Sequence, residues 1–276
     1  VFIRQAVKVF LIIFILALLT VVTQTGGIVL LCAIGIVFFF RKRLASRWMV
    51  YLATLFVFTL LYAISNFTVV PLIAKHFGRV PLPLQGGVKP LNIGTCILNR
   101  HYVRPALRDV VMKSYQTLEA RNPGCTLNYL DAGFPFCNDF PLLPHLSHND
   151  GRKLDLAFFY HDKNGKEVND APSSIGYGVY VSPRASEDNY AERCASKGYW
   201  QYGAMERIVS QSRKSDYIFD AGRTAQLVDI LSRNNAVEKI FIEPHLKKRL
   251  GLSSSKIHFH GCQAVRHDDH VHVQIY

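Results

Sequence analysis

Three long apolar runs open the chain. Val9–Val22 carries no charged residue, Ile28–Phe40 follows the interruption Thr23-Gln24-Thr25-Gly26-Gly27, and Met49–Val70 is again uncharged and stops at Pro71. A helix needs roughly 20 apolar residues to cross the hydrocarbon core of a bilayer. The third run meets that length. The first two are shorter and predict a tight helical hairpin around the Gly-Gly turn. Three successive runs without a small-residue cleavage site do not match a cleaved signal peptide. The pattern predicts an all-α transmembrane region of about three helices over residues 1–72.

Residues 73–94, with Pro81, Pro83, Gly86, Gly87 and Pro90, have the composition of a linker. From residue 95 onward the periodicity changes. Arg104–Ala120 sets Leu107, Val110, Val111, Tyr115 and Leu118 at helical spacing and stops before Asn122-Pro123-Gly124. Ala221–Asn234 is helical in the same way, and Pro244–Leu250 reads as a short helix ended by Gly251. Apolar or alternating stretches predict strands at Lys153–Tyr160, Ser173–Val181, Glu238–Ile242, Lys256–His260 and Val271–Tyr276. Asn164-Gly165 is a turn, and Asp131–Pro144, rich in Phe, Pro and Gly, reads as an ordered loop. Helices and strands do not alternate regularly. That favours an α+β domain, an antiparallel sheet with flanking helices, over a doubly wound fold.

Charge refines this picture. The formal net charge of the 276 residues is +12, but residues 1–80 hold eight Lys/Arg and no acid, which leaves +4 for the rest. The basicity belongs largely to the flanks of the apolar runs, where it sets membrane orientation. The lack of a basic stripe interleaved with aromatics argues against nucleic-acid binding. Arg4 and Lys8 precede the first run, and Arg41, Lys42, Arg43 and Arg47 lie between the second and third. With both clusters cytoplasmic, three spans put the C-terminal domain on the extracytoplasmic side of the inner membrane. That compartment permits disulfides. Five cysteines lie beyond the apolar runs and none forms a CxxC pair; Cys125 and Cys137, which bracket the Gly/Pro/Phe loop, are one candidate bridge.

The chain closes on "RHDDHVHVQIY". In a strand, His270, His272 and Gln274 share one face, while Val271, Val273 and Ile275 share the other and read as core. Two imidazoles on one face can share a metal, a substrate or a proton, and His-x-His alone suits a solvated strand face equally well. The partners come from "PHLSHNDGRKLDLAFFY", residues 144–160. There Asp155 sits in an apolar strand, facing away from Leu154 and Leu156, where a carboxylate is costly to bury unless paired or coordinated. His148, Asp155 and one histidine of the last strand would make a catalytic zinc set with an open position. Imidazole-rich donors favour zinc over magnesium or calcium. His101, His161, His245, His258 and His260 lack such a context and read as structural. Asp268 and Asp269 would either fix imidazole tautomers or be solvated turn residues, and the turn reading is preferred.

"HLSHNDGRKLD" and "HDDHVH" together resemble the penicillin-insensitive murein endopeptidase family, within the lysostaphin, D-Ala-D-Ala peptidase and hedgehog group of zinc proteins. "KIFIEPHLKKRL", residues 239–250, is similar to that family's strand–Pro–helix segment. The similarity covers residues 95–276 and not the apolar runs, which such secreted enzymes lack. It implies a hedgehog/D-Ala-D-Ala peptidase-like fold and zinc-dependent hydrolysis of amide bonds in peptidoglycan peptide crosslinks. It further implies His148, Asp155 and His272 as zinc ligands, His145 as a fourth or alternate ligand, His270 as general base or transition-state donor, and His267 as its assistant. The residues alone leave His145 equally a loop histidine packed on Phe134 or Phe136. The alternative is a non-catalytic zinc domain that binds a peptide or a partner from the same membrane anchor.

Overall fold

The computed structural model describes residues 2–143 and 145–276. Apolar sequence becomes helix at the N-terminus: α1 is Phe2–Thr23, α2 is Gly26–Phe40 and α3 is Arg47–Ile64. The turn between α1 and α2 falls on Gln24, at φ 66°, rather than on the Gly-Gly pair. Gly26 and Gly27 instead begin α2, and they let the two helices approach. A Cβ on Gly27 would come within 2.0 Å of the Thr20 hydroxyl. Small residues serve helix pairs this way where lipid, not water, surrounds them. Among the described residues, two helices are long and apolar enough to cross a membrane, Gln5–Thr23 and Arg47–Phe77. With 15 residues, α2 rises about 22 Å and falls short of the roughly 30 Å core.

The third apolar run extends beyond the helical bundle. After α3 it continues through a π-helical turn, Ser65–Val69, and a further helix, Val70–Ala74. Here Asn66, Val70 and Ala74 are buried against the C-terminal domain. Asn66 donates to the Cys96 carbonyl at 3.0 Å, and Val70 and Ala74 pack with Tyr102. The segment expected as a linker is likewise built into the domain. Val80–Pro81 pairs with Tyr102–Val103, and Val88–Pro90 is one of the two edge strands of the main sheet. Proline is tolerated at such edges because no ladder N–H is needed there.

That sheet has six strands: β1 Val88–Pro90, β2 Leu127–Tyr129, β3 Lys153–Ala157, β4 Val237–Phe241, β5 Ile257–His258 and β6 His270–Ile275. Their order is β5-β4-β6-β3-β2-β1. The four central strands are mutually antiparallel, as the irregular element order implied, but both edge strands run parallel to their neighbours. Helices α4, Pro105–Glu119, and α5, Ala221–Arg233, cover one face. Leu107, Val110, Val111, Leu227, Val228 and Leu231 pack there with Leu154, Leu156, Val271 and Val273 in one core. Each of these side chains contributes about 1.5–3 kcal/mol on burial. The strand phase is thereby fixed, because a slip of one residue would turn every valine of β6 out of the core.

Two strand expectations differ from the fold. Lys153–Tyr160 divides at Phe158-Phe159, and Tyr160–Asp162 joins a separate three-stranded sheet. Ser173–Val181 forms no strand. Gly176 and Gly178 both sit at φ 81°, a left-handed conformation that interrupts any ladder.

The disulfide also differs. Cys194 bonds Cys262, across a sequence separation of 68, while Cys125 is buried in the core and Cys137 is exposed, both as free thiols. Closing a loop of that length lowers the chain entropy of the unfolded state by about 4 kcal/mol. Cys194→Ser is therefore expected to lower the stability by about 4 kcal/mol under oxidising conditions, and the thermal midpoint with it. Thermal unfolding with and without reductant checks it. Unchanged midpoints would exclude the bridge, as would alkylation of Cys194 without prior reduction.

Candidate metal centre

The open face of the sheet carries the site. Antiparallel pairing sets His272 directly opposite Asp155, and His270 opposite Ala157. Leu154, Leu156, Val271 and Val273 point the other way into the core, so the same alternation that builds the core aims these polar groups together. His148 arrives from the loop before β3. Its Nδ1 donates to the Ala132 carbonyl at 2.8 Å. A carbonyl can only accept, so this bond leaves the Nε2 lone pair free to face the sheet.

His148 Nε2, Asp155 Oδ1 and His272 Nδ1 then converge. Nε2 lies 3.3 Å from the carboxylate oxygen and 3.2 Å from His272 Nδ1, and His272 Nδ1 lies 2.9 Å from that same oxygen. Ligands of a tetrahedral ion at about 2.0–2.1 Å stand about 3.3 Å apart. The three atoms thus form a grouping able to hold a metal ion. All three residues are buried. Burial pushes the Asp155 carboxyl up, but the charges of His148 and His270 and the hydrogen bonds of His148 and His272 outweigh it and hold the carboxyl well below the ordinary range. Burial brings His272 down to about 4 against the opposing pull of Asp155. An ionised carboxylate and a neutral imidazole are the protonation states a metal requires.

Beside this triad stands His270. Its Nδ1 is held by Asp269 Oδ1, whose other oxygen accepts the Gly178 N–H at 2.6 Å. Its Nε2 is buried without a hydrogen-bond partner and lies 3.7 Å from Asp155 Oδ1. Burial would lower the pKa of this imidazole, but Asp155 and Asp269 overcome it and raise it to about 9. His267 is also buried, with Nδ1 unpartnered and its ring 4.9 Å from that of His270. Burial and the neighbouring His270 and His272 hold His267 well below the usual imidazole range. His145 does not join the three-atom grouping. Its Nδ1 bonds Asp131 Oδ2 at 3.0 Å and stays 3.7 Å from Asp155 Oδ2.

Asp268 and Asp269 are not solvated turn residues. Both are buried. Asp268 takes a two-pronged bond from Arg266, and burial against that guanidinium still raises it to about 7. Asp269 orients His270. The chemistry of the pair was legible as one of two readings, and the structure carries the tautomer-fixing one for Asp269.

Tyr177 is a residue the sequence pattern missed. Its hydroxyl donates to Asp155 Oδ2 at 2.8 Å and accepts the Asp131 N–H at 3.1 Å. Burial and the carboxylates of Asp155 and Asp131 raise this phenol well above 10, so it stays a donor. The available signal was Gly176-Tyr177-Gly178, two glycines that a strand has no use for. A Cβ at Gly176 would strike Leu130, and one at Gly178 would strike Val209. Tyr177→Phe is expected to weaken metal affinity 10–100-fold, the usual effect of removing a group that orients a ligand. Competition with a chromogenic chelator measures it, and an unchanged affinity would remove Tyr177 from the site.

A cavity of about 730 Å³ opens over these groups. Leu146, Trp200, Met205 and Ile208 supply apolar wall, and Arg266 and Gln263 supply polar edges. Of the remaining histidines, His260 lines the rim and stacks on Phe241 at 4.1 Å. His245 bonds the Val181 carbonyl, and His101 is buried away from the cavity. His161 lies near Asp220 and Glu167, a second grouping of metal-ligand atom types. Arg223 donates to both of those carboxylates and already supplies their counter-charge. No family model matches this chain, and no curated protein does.

Proposed function

We propose that the chain is a membrane-anchored zinc peptidase that hydrolyses amide bonds in peptidoglycan peptide crosslinks. The observation that carries this reading is the convergence of His148 Nε2, Asp155 Oδ1 and His272 Nδ1, with the unpartnered Nε2 of His270 beside them. Those are the residues at which "HLSHNDGRKLD" and "HDDHVH" resemble the murein endopeptidases. The donor set suits zinc: two imidazoles and one carboxylate, all buried, with a cavity on the open side.

When bound, zinc supplies Lewis acidity at the scissile carbonyl and at the attacking water. The protein does the rest. Tyr177 holds Asp155 in place through Oδ2. Asp269 holds the His270 ring so that Nε2 faces the cavity, where it donates to the carbonyl oxygen as negative charge develops and passes a proton to the leaving amine. The apolar wall of Trp200, Met205 and Ile208 receives a peptide and sheds water from it.

The anchor supports an extracytoplasmic placement. The hairpin turn at Gln24 touches the domain, while Arg41, Lys42 and Arg43 lie at the far end of α2. Positive charge on the side away from the domain suits a cytoplasmic face there. A bridge between Cys194 and Cys262 suits an oxidising compartment.

The detergent-solubilised full chain, incubated with crosslinked muropeptides, is expected to cleave them, to stop with a chelator and to resume with zinc. Cleavage that persists after verified metal removal would overturn the zinc mechanism. Stoichiometric zinc with muropeptide binding but no cleavage would replace the peptidase by a binding module.

A further inference from the structure

We infer that a collar of Phe67, Leu72, Ile73, Phe77, Ile93 and Ile97 lies in the headgroup–acyl boundary of the bilayer, so that the cavity acts on peptides held at the membrane surface. This rests on the membrane-anchored reading above.

The six side chains are each between 42% and 64% exposed. Four come from the helical continuation of the third apolar run, where Asn66, Val70 and Ala74 are taken up by the domain and the residues between them are left out. Two come from the short helix Ile93–Ile97, one turn apart on the same side. That helix is tied to the bundle, since Tyr62 donates to the Ile97 carbonyl at 2.7 Å and Asn66 to the Cys96 carbonyl. Six large apolar side chains left exposed on two segments tied together in this way are unusual on a water-facing domain.

Two features fix the level of the boundary. The apolar span Gln5–Thr23 has 19 residues, a rise of about 28 Å, which matches the roughly 30 Å hydrocarbon core and ends at Thr23. The domain grips that end directly. Asn99 donates to the Thr23 carbonyl and the Thr25 hydroxyl, and the Phe136 N–H donates to Gln24. The Phe136 ring also packs edge-on against Phe77 at 5.1 Å, which brings the collar to the level of the hairpin turn. Lys75, exposed among the collar residues, suits the polar side of that boundary, where an ammonium on an apolar stem reaches headgroups.

The cavity stands on the same short segment. Arg100, next to Asn99, donates to the Leu143 carbonyl and lies 3.6 Å from Asp131, which in turn holds His145 on the cavity wall. A substrate reaching His145 and Leu146 is therefore within a few residues of the bilayer surface. A muropeptide on a lipid anchor meets that requirement without first diffusing to the site.

The test uses the full chain with Trp48→Phe and Trp200→Phe, reconstituted in phosphatidylglycerol/phosphatidylcholine vesicles. Single tryptophans are placed by Ile73→Trp, Ile97→Trp, Ile12→Trp and Ile218→Trp. Lipids brominated near the glycerol end of the acyl chain are expected to quench positions 73 and 97, and lipids brominated near the chain end to quench position 12. Position 218, on the three-stranded sheet, is expected to stay bright. Quenching at 12 without quenching at 73 and 97 overturns the collar and leaves the anchor standing. No quenching at any position overturns the anchor and the collar together. Quenching at 218 equal to that at 97 overturns the collar as a distinct surface. The unsubstituted chain in the same vesicles is expected to turn over a lipid-anchored muropeptide roughly tenfold or more faster than the free one, because anchoring raises the effective concentration. Equal rates would overturn the membrane-surface substrate.

Discussion

Asp155→Ala is expected to reduce bound zinc from about one per chain to near zero and to abolish turnover, and His272→Ala to do the same. Asp155 is the only carboxylate of the three-atom grouping, and its Oδ1 touches both other donors. Its loss takes away a ligand and the negative charge that keeps a cation favourable among His148, His270 and His272. Without that carboxylate, the buried imidazoles of His148, His267, His270 and His272 crowd one site, with Asp269 left to balance His270. Removing one partner from a buried charged set costs several kcal/mol, so folding must be checked separately. Asp155→Asn serves that purpose, because it keeps the shape and an acceptor for Tyr177 while losing the charge. Metal content by mass spectrometry and thermal unfolding with and without zinc are the measurements. In the unsubstituted chain zinc should raise the midpoint by mass action, and in all three variants that rise should vanish. Full zinc content in folded Asp155→Ala would show that these atoms do not form the metal site.

Of the three grouped donors, Asp155 and His272 were legible because each rests on short-range sequence. His270 and His272 owe their direction to a period of two, and Val271, Val273 and Ile275 fix the phase of that period by going into the core. Asp155 is legible for the same reason, flanked by Leu154 and Leu156. What the sequence did not disclose depends on contacts between distant segments. Tyr177 reaches Asp155 from an irregular loop, and its role follows from a backbone path that two left-handed glycines set. Asp269 reads as a turn residue until the Gly178 N–H, 91 residues away, is brought against it. The parallel edge strands and the Cys194–Cys262 bridge are likewise matters of topology. The third apolar run misled in a more particular way. Its uncharged composition suits lipid along its whole length, yet Asn66 and Val70 are claimed by the domain. Hydropathy cannot separate an apolar residue that faces lipid from one that faces protein.

His270→Ala is expected to leave zinc bound and to lower turnover by about 10²–10⁴-fold, the range of a general acid–base group. Geometry separates it from the ligands. Its Nε2 stays 3.7 Å from Asp155 Oδ1 and has no partner, whereas the three ligand atoms lie within 3.3 Å of one another. The site also holds the ring ready to donate. Asp269 occupies Nδ1, and the two carboxylates Asp155 and Asp269 favour the protonated form despite burial. Two variants divide its roles. His270→Gln keeps an N–H donor that cannot titrate. If the loss arises from stabilising charge on the carbonyl oxygen, glutamine should recover part of the rate. If it arises from carrying a proton to the leaving amine, glutamine should be as poor as alanine, and a substrate with a leaving group that needs no proton should restore both. Asp269→Asn removes one of the two carboxylates that raise His270, so the basic limb of its pH–rate profile should move to lower pH. Zinc lost from His270→Ala as completely as from Asp155→Ala would make this histidine a ligand. Full turnover with zinc retained would take the peptidase chemistry away from this group.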